Sequence, residues 1–127
     1  MTGPLQNFEE CWQHRRRLRL FVAQRVVLKL PRDEKYRLGD QLLRAARSTT
    51  ANIAEGYGRF HYLDNAKFCI NARGSCYEVL DHLITACDEN LISPELLAEG
   101  RRLTATAVRL LNGYLNYLKR ARRLADK

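Results

Sequence analysis

Residues Pro31–Arg59, P-R-D-E-K-Y-R-L-G-D-Q-L-L-R-A-A-R-S-T-T-A-N-I-A-E-G-Y-G-R, read as one helix with a hard start, an alanine-rich middle and a glycine stop. Asp33 or a residue beside it starts the helix. Gly56 and Gly58 end it, because glycine supplies the positive-φ conformations that finish a helix at little cost. The other two prolines also fall at helix starts. Pro4 precedes a first helix, and Ser93-Pro94-Glu95 opens the last: serine caps, proline suits the first helical position, and glutamate favours the N-terminal dipole. No segment alternates as a strand would.

This punctuation predicts four helices, at approximately 5–30, 34–57, 62–89 and 94–123. Each has ~24–30 residues and so extends ~36–45 Å. Long helices with short connections pack as an antiparallel up-down-up-down four-helix bundle, in which the first and fourth are neighbours. A chain of 127 residues, 46% hydrophobic and 28% charged, suits one globular domain spanning 1–127. No apolar run approaches the ~18 residues of a membrane span, and the N-terminus lacks a signal peptide's apolar core. The chain is expected in the cytoplasm, with no membrane partner.

Net charge is +8, and its distribution is uneven. Residues 1–32 hold seven Lys/Arg against two acids, and residues 93–127 hold eight against three, whereas residues 60–92 hold two against five. Two readings stand: solubility, or a polyanion partner. The fourth helix sharpens the second. Leu96, Leu103, Ala107, Leu110, Leu111, Tyr114, Tyr117, Leu118 and Leu124 fall on one half of its wheel. The other half gathers Arg101, Arg102, Arg109, Asn112, Asn116, Lys119, Arg120 and Arg123, and no acid interrupts this stripe past its first turn. A single-sign stripe with interleaved asparagines fits a surface that tracks phosphates, with Arg16 and Arg17 of the first helix beside it. Few aromatic residues lie on the stripe, so sequence readout is expected to be poor.

The first helix carries a core stripe of Phe8, Cys11, Trp12, Leu18, Val22, Val26 and Leu30, but Arg15 and Arg19 fall within that arc. Leu20, Phe21, Val27 and Leu28 continue the apolar surface around the back. A helix apolar on more than one side is expected to pack within its bundle and against another subunit. In the third helix Arg73 sits amid Cys69, Ile70, Cys76, Tyr77, Leu80 and Ile84, which predicts a part-buried guanidinium paired with Glu55. Gly74 and Ser75 are small enough to admit another helix.

Catalytic patterns are missing. His14, His61 and His82 are isolated, the cysteines show no C-x-x-C spacing, and Gly56-Tyr57-Gly58 lacks the rest of a phosphate loop. Cys69 and Cys76 read as small buried hydrophobes. No metal, cofactor or enzymatic activity is expected.

The chain resembles the four-helix family of proteins encoded by 23S rRNA intervening sequences, from about Trp12 to about Lys119. The resemblance rests on Pro31, Glu34 and Tyr36, then Gln41, Arg44-Ala45-Ala46 and Ser48, then Asn52-Ile53-Ala54-Glu55-Gly56-Tyr57-Gly58-Arg59. It continues in Ala72-Arg73-Gly74-Ser75 and Glu78. Such proteins are similar to the accessory variability determinant of diversity-generating retroelements, a basic pentamer that binds nucleic acid and a reverse transcriptase. The resemblance therefore implies a homopentamer, in which Asn52, Glu55, Arg59 and Arg73 mainly organise the bundle and its interfaces, with Gly74 and Ser75 in the same motif. Ser48-Thr49-Thr50-Ala51-Asn52 departs from the more usual S-I-P-x-N of the family, which leaves the branch open.

Three functions follow. The favoured one is a non-catalytic oligomer that binds RNA or DNA through Arg16, Arg17, Arg101, Arg102, Arg109, Lys119, Arg120 and Arg123. The second is a scaffold partnering a retroelement reverse transcriptase. The third is a structural bundle with no nucleic-acid role.

Overall fold

The computed structural model describes residues 4–59 and 61–125. Four long helices carry it: α1 (Pro4–Phe21), α3 (Leu38–Tyr57), α4 (Tyr62–Asp88) and α5 (Pro94–Ala125), with a one-turn α2 (Arg32–Lys35) ahead of α3. No strand occurs among the described residues. α1 packs against α3 and α5, α3 against α4, and α4 against α5, closing a ring of four. Two apolar clusters fill that ring. One is built around Leu18, Val22, Leu42, Val79 and Leu83, the other around Cys11, Ile53, Cys69, Leu111 and Leu118. A fully buried leucine such as Leu42 or Leu83 contributes ~1.5–3 kcal/mol by leaving water.

Local chemistry explains the ends of α4 and α5. The Leu96 N–H donates to Ser93 Oγ at 3.1 Å, so Ser93 caps α5. Past α4, Asn90 adopts φ 62°, and the Leu91 N–H reaches back to the Ala86 carbonyl at 2.8 Å. That is the left-handed C-terminal stop in which asparagine replaces glycine.

Elsewhere tertiary packing overrides the expected boundaries. α1 does not run straight to residue 30: it widens into a π turn at Val22–Val26 and tightens into a 3₁₀ turn at Val27–Lys29. The π turn shifts the helical register, so Phe21, Val22, Val26, Val27 and Leu30 all reach the core. The apolar back of this helix is thus mostly internal; Leu20 is half-buried and Leu28 exposed. The side chain of Phe8 lies outside the described residues.

The expected helix 34–57 is also split. Tyr36 and Arg37 break it, and Arg37 offers α3 no side-chain cap. The break lets α2 fold over Gly39, where a Cβ would lie 3.3 Å from the Glu34 carbonyl oxygen and 3.2 Å from Val27.

Neither Gly56 nor Gly58 has a positive φ. Gly58 closes α3 at φ −70°, and Gly56 is buried inside the helix where α4 crosses it. A Cβ at Gly56 would meet Asn65 Oδ1 at 2.7 Å and Phe68 Cβ at 2.9 Å. Its role is close approach, not termination.

Candidate nucleic-acid interface

All eight cationic residues named from sequence, Arg16, Arg17, Arg101, Arg102, Arg109, Lys119, Arg120 and Arg123, are exposed. None forms an ion pair with a described residue, whereas Arg25 pairs with Glu99 and Arg59 with Glu55. α5 positions most of them because its apolar half is committed to the ring, through Ala107, Leu111, Tyr114 and Leu118. Leu124, expected in the core, is exposed beyond the ring.

The eight do not form one cluster. Arg17 of α1 and Arg109 of α5 converge on His14, which both hold below its ordinary pKa of 6.5. Burial is the largest cause there, followed by Arg17, Arg15 and Arg109, with Glu10 opposing them. Arg109 and Arg120 border a groove of about 650 Å³ between α1 and α5. Gly113, Tyr114 and Tyr117 of α5 and Glu10 of α1 also line it. The two tyrosine rings are near-parallel, with centroids 6.2 Å apart. Arg101 and Lys119 instead face α4, each lining a separate depression there. Arg16, Arg102 and Arg123 border none of these depressions.

The buried cation is Arg15, not Arg73. Arg15 is 0% exposed. Its Nη1 donates to the Cys11 carbonyl at 2.6 Å and to Cys11 Sγ at 3.2 Å, and its Nη2 to the Ala107 carbonyl of α5. Arg15 Nε and the core hydroxyl Thr104 Oγ1 are buried without a partner among the described residues. Three thiols share this part of the core. Burial pushes Cys11 up to about 11 and Cys69 up to about 12, and raises Cys76 as well, against the opposing pull of Arg15. The thiols therefore stay neutral, and the guanidinium sits in the core with no anionic neighbour among them. Burial likewise lifts Tyr114 to about 12, although Asn65 Nδ2 donates to its hydroxyl at 3.1 Å.

Arg73 is only half-buried, and its Nη1 donates to Asn112 Oδ1 of α5 at 2.9 Å. The expected Arg73–Glu55 pair is absent: Glu55 accepts from Arg59 at 2.8 Å, while the Arg59 guanidinium lies 5.2 Å from the Phe68 ring centroid. Asn52 begins a relay across the α3–α4 seam. It donates to Ser48 Oγ at 2.8 Å, Ser48 and Ser75 hydroxyls are 2.8 Å apart, and Ser75 donates to the Asn71 carbonyl at 3.2 Å. Each hydroxyl proton then has one acceptor. Gly74 points away from the seam, and a Cβ there would meet nothing within 4 Å.

Tyr114 and Tyr117, expected on the core half of the helix, do pack in the core, Tyr114 buried and Tyr117 partly so; the groove they also line was not foreseen. Gly113, Tyr117 and Arg120 at i, i+4 and i+7 are the signal that could have marked it. Among the described residues no cluster of three or more His, Cys, Asp or Glu could hold a metal, and no helix is long and apolar enough to cross a membrane.

Compared with known proteins, residues 9–113 match the family described as 23S rRNA-intervening sequence protein. No curated protein matches the chain.

Proposed function

The chain belongs to the 23S rRNA-intervening sequence protein family, and from that footing we propose that it is a non-catalytic, basic oligomer that binds nucleic acid through phosphate contacts along α1 and α5. The family name states no activity, so the reading rests on one observation. Eight exposed cations, six of them on α5, make no ion pair with a described residue. A surface that needed only solubility would mix signs along the helix and gain from i,i+4 pairs. His14, depressed by burial first and then by Arg17, Arg15 and Arg109, is in keeping with cations of α1 and α5 lying near one another.

The four long helices are read as an antiparallel up-down-up-down bundle. Support comes from connections of residues 58–61 and 89–93 between helices that pack side by side, which reverse the chain each time. A homopentamer is the proposed assembly. Besides the scattered Leu28, Tyr36 and Leu124, exposed apolar surface forms a stripe on α4, where Leu63, Ile70 and Tyr77 are 59%, 50% and 54% exposed at seven-residue spacing, with Gly74 open beside them. Such a stripe suits burial against another copy. Light scattering that returned the 14.8 kDa of a single chain would end that assembly. The same stripe favours a second reading, a docking face for a reverse transcriptase, which a retroelement among the neighbouring genes would support.

Fluorescence anisotropy over ~50–300 mM salt tests the binding. The protein is expected to hold RNA and DNA at low salt and release them steeply as salt rises. Arg109→Glu with Arg120→Glu should weaken every nucleic acid alike and flatten the salt slope by about one per lost contact. Unchanged binding in that double variant would remove α5 from the interface.

A further inference from the structure

The α1–α5 groove holds more than charge. Its volume of about 650 Å³ lies within the ~300–1,000 Å³ typical of small-ligand sites. Its accessible aromatic ring is half-buried Tyr117, backed by the near-parallel Tyr114, which is only 5% exposed. Asn65 ties the Tyr114 hydroxyl inward, which fixes that ring, and half-buried Tyr117 stands further out. Gly113 keeps the groove open: a side chain there would meet nothing within 4 Å. Glycine in mid-helix is unfavourable, and here no packing within the chain offsets it. A flat ligand approaching the backbone would.

Charge selects the ligand. Arg109 and Arg120 stand at the groove eleven residues apart, ~16 Å along the axis, wide enough to hold more than one phosphate. Glu10 of α1 repels phosphate and so keeps a backbone on the α5 side. An aromatic ring and flanking guanidiniums together are the combination that binds single-stranded nucleic acid by stacking and cation contacts. We infer that the groove takes an unstacked nucleobase, with its neighbouring phosphates on Arg109 and Arg120, so that the protein prefers unpaired nucleotides to continuous duplex. This rests on the phosphate-binding reading above and adds to it the structural class of the partner.

Anisotropy titration tests it with three labelled probes of equal length: an intact single strand, the same strand with its central nucleotides abasic, and the full duplex. The intact strand should bind about tenfold tighter than the abasic one, as loss of a base–aromatic stack predicts. Gly113→Leu fills the groove and adds a better helix former, so it should fold, as circular dichroism would check, and should erase that tenfold gap. Equal affinity of wild type for intact and abasic strands, with binding that still falls with salt, would overturn the groove and leave phosphate binding standing. A gap that survives unchanged in a folded Gly113→Leu protein would place the base contact elsewhere and also overturn it. No binding to any probe at the lowest salt would overturn both. If Gly113→Leu does not fold, the wild-type comparison of intact and abasic strands decides alone.

Discussion

Two seams of this molecule are built on opposite plans. The α3–α4 seam is close and neutral: Gly56 lets Asn65 and Phe68 into van der Waals contact, and the Asn52–Ser48–Ser75 relay crosses it with short hydrogen bonds. The α1–α5 seam is held by a buried guanidinium reaching across to the Ala107 carbonyl, and it opens into a groove. Small residues and paired hydroxyls make the first seam a joint that tolerates little change. The second carries positive charge inside and out, which a fold alone does not require. The family match over residues 9–113 spans both seams, including Glu10, Arg109 and Gly113 of the groove. Membership therefore does not tell the two seams apart, and the groove has to be argued from its own side chains.

Arg15 gives the largest expected effect. Removing it with Arg15→Ala leaves a cavity, and should cost ~2–5 kcal/mol of stability, the range of large-to-small substitutions in a core. Arg15→Met keeps the volume and removes a charge that no described carboxylate answers. It should be neutral or stabilising by ~1–4 kcal/mol. Urea unfolding of both variants separates the cases. A Met variant as unstable as the Ala variant would mean that the guanidinium's hydrogen bonds, and not its bulk, join α1 to α5.

Two glycines sharpen the contrast between seams with opposite signs. Gly56→Ala forces a Cβ to 2.7 Å from Asn65 Oδ1 and 3.1 Å from the Asn65 carbonyl oxygen, and should destabilise by ~1–3 kcal/mol through overpacking. Gly113→Ala meets open space and improves helix propensity, so it should stabilise by ~1 kcal/mol. Thermal unfolding measured side by side checks both. Stabilisation at both positions would show that the α3–α4 seam can yield, and the comparison between seams would collapse.

Features governed by local chemistry were legible in the sequence. Ser93 and Pro94 announced the start of α5, and the polar face of that helix is exposed where the wheel placed it. Features set by a distant partner were not. Arg15 and Arg73 both fall in apolar arcs, and only the fold reveals that one meets a carbonyl ninety-two residues away while the other reaches Asn112. Gly56 near a helix end suggests a stop, because a stop needs only local backbone; the neighbour that needs its missing side chain lies on another helix. The π turn escaped for the same reason. Val22 and Val26 have the spacing of an ordinary helix, and the extra residue in the turn is accommodated by packing.

His14 offers the smallest effect and the most direct report on the α1–α5 seam. Its folded pKa lies below 6.5, through burial first and then Arg17, Arg15 and Arg109. The unfolded chain therefore binds more protons as pH falls below 6.5. Its contribution to stability is complete above 6.5 and fades as pH drops through the lower folded value. Phosphates seated on Arg17 and Arg109 would cancel two of the depressing charges, while burial and Arg15 remain. Bound nucleic acid should thus raise the His14 pKa part of the way towards 6.5, and binding should strengthen modestly as pH falls through that window. An NMR titration of the His14 ring with and without a single-stranded oligonucleotide reads this directly. A His14 pKa that stays put on saturation would show that the phosphates do not reach Arg17 and Arg109 together, and the charge of this seam would then serve something other than the nucleic acid.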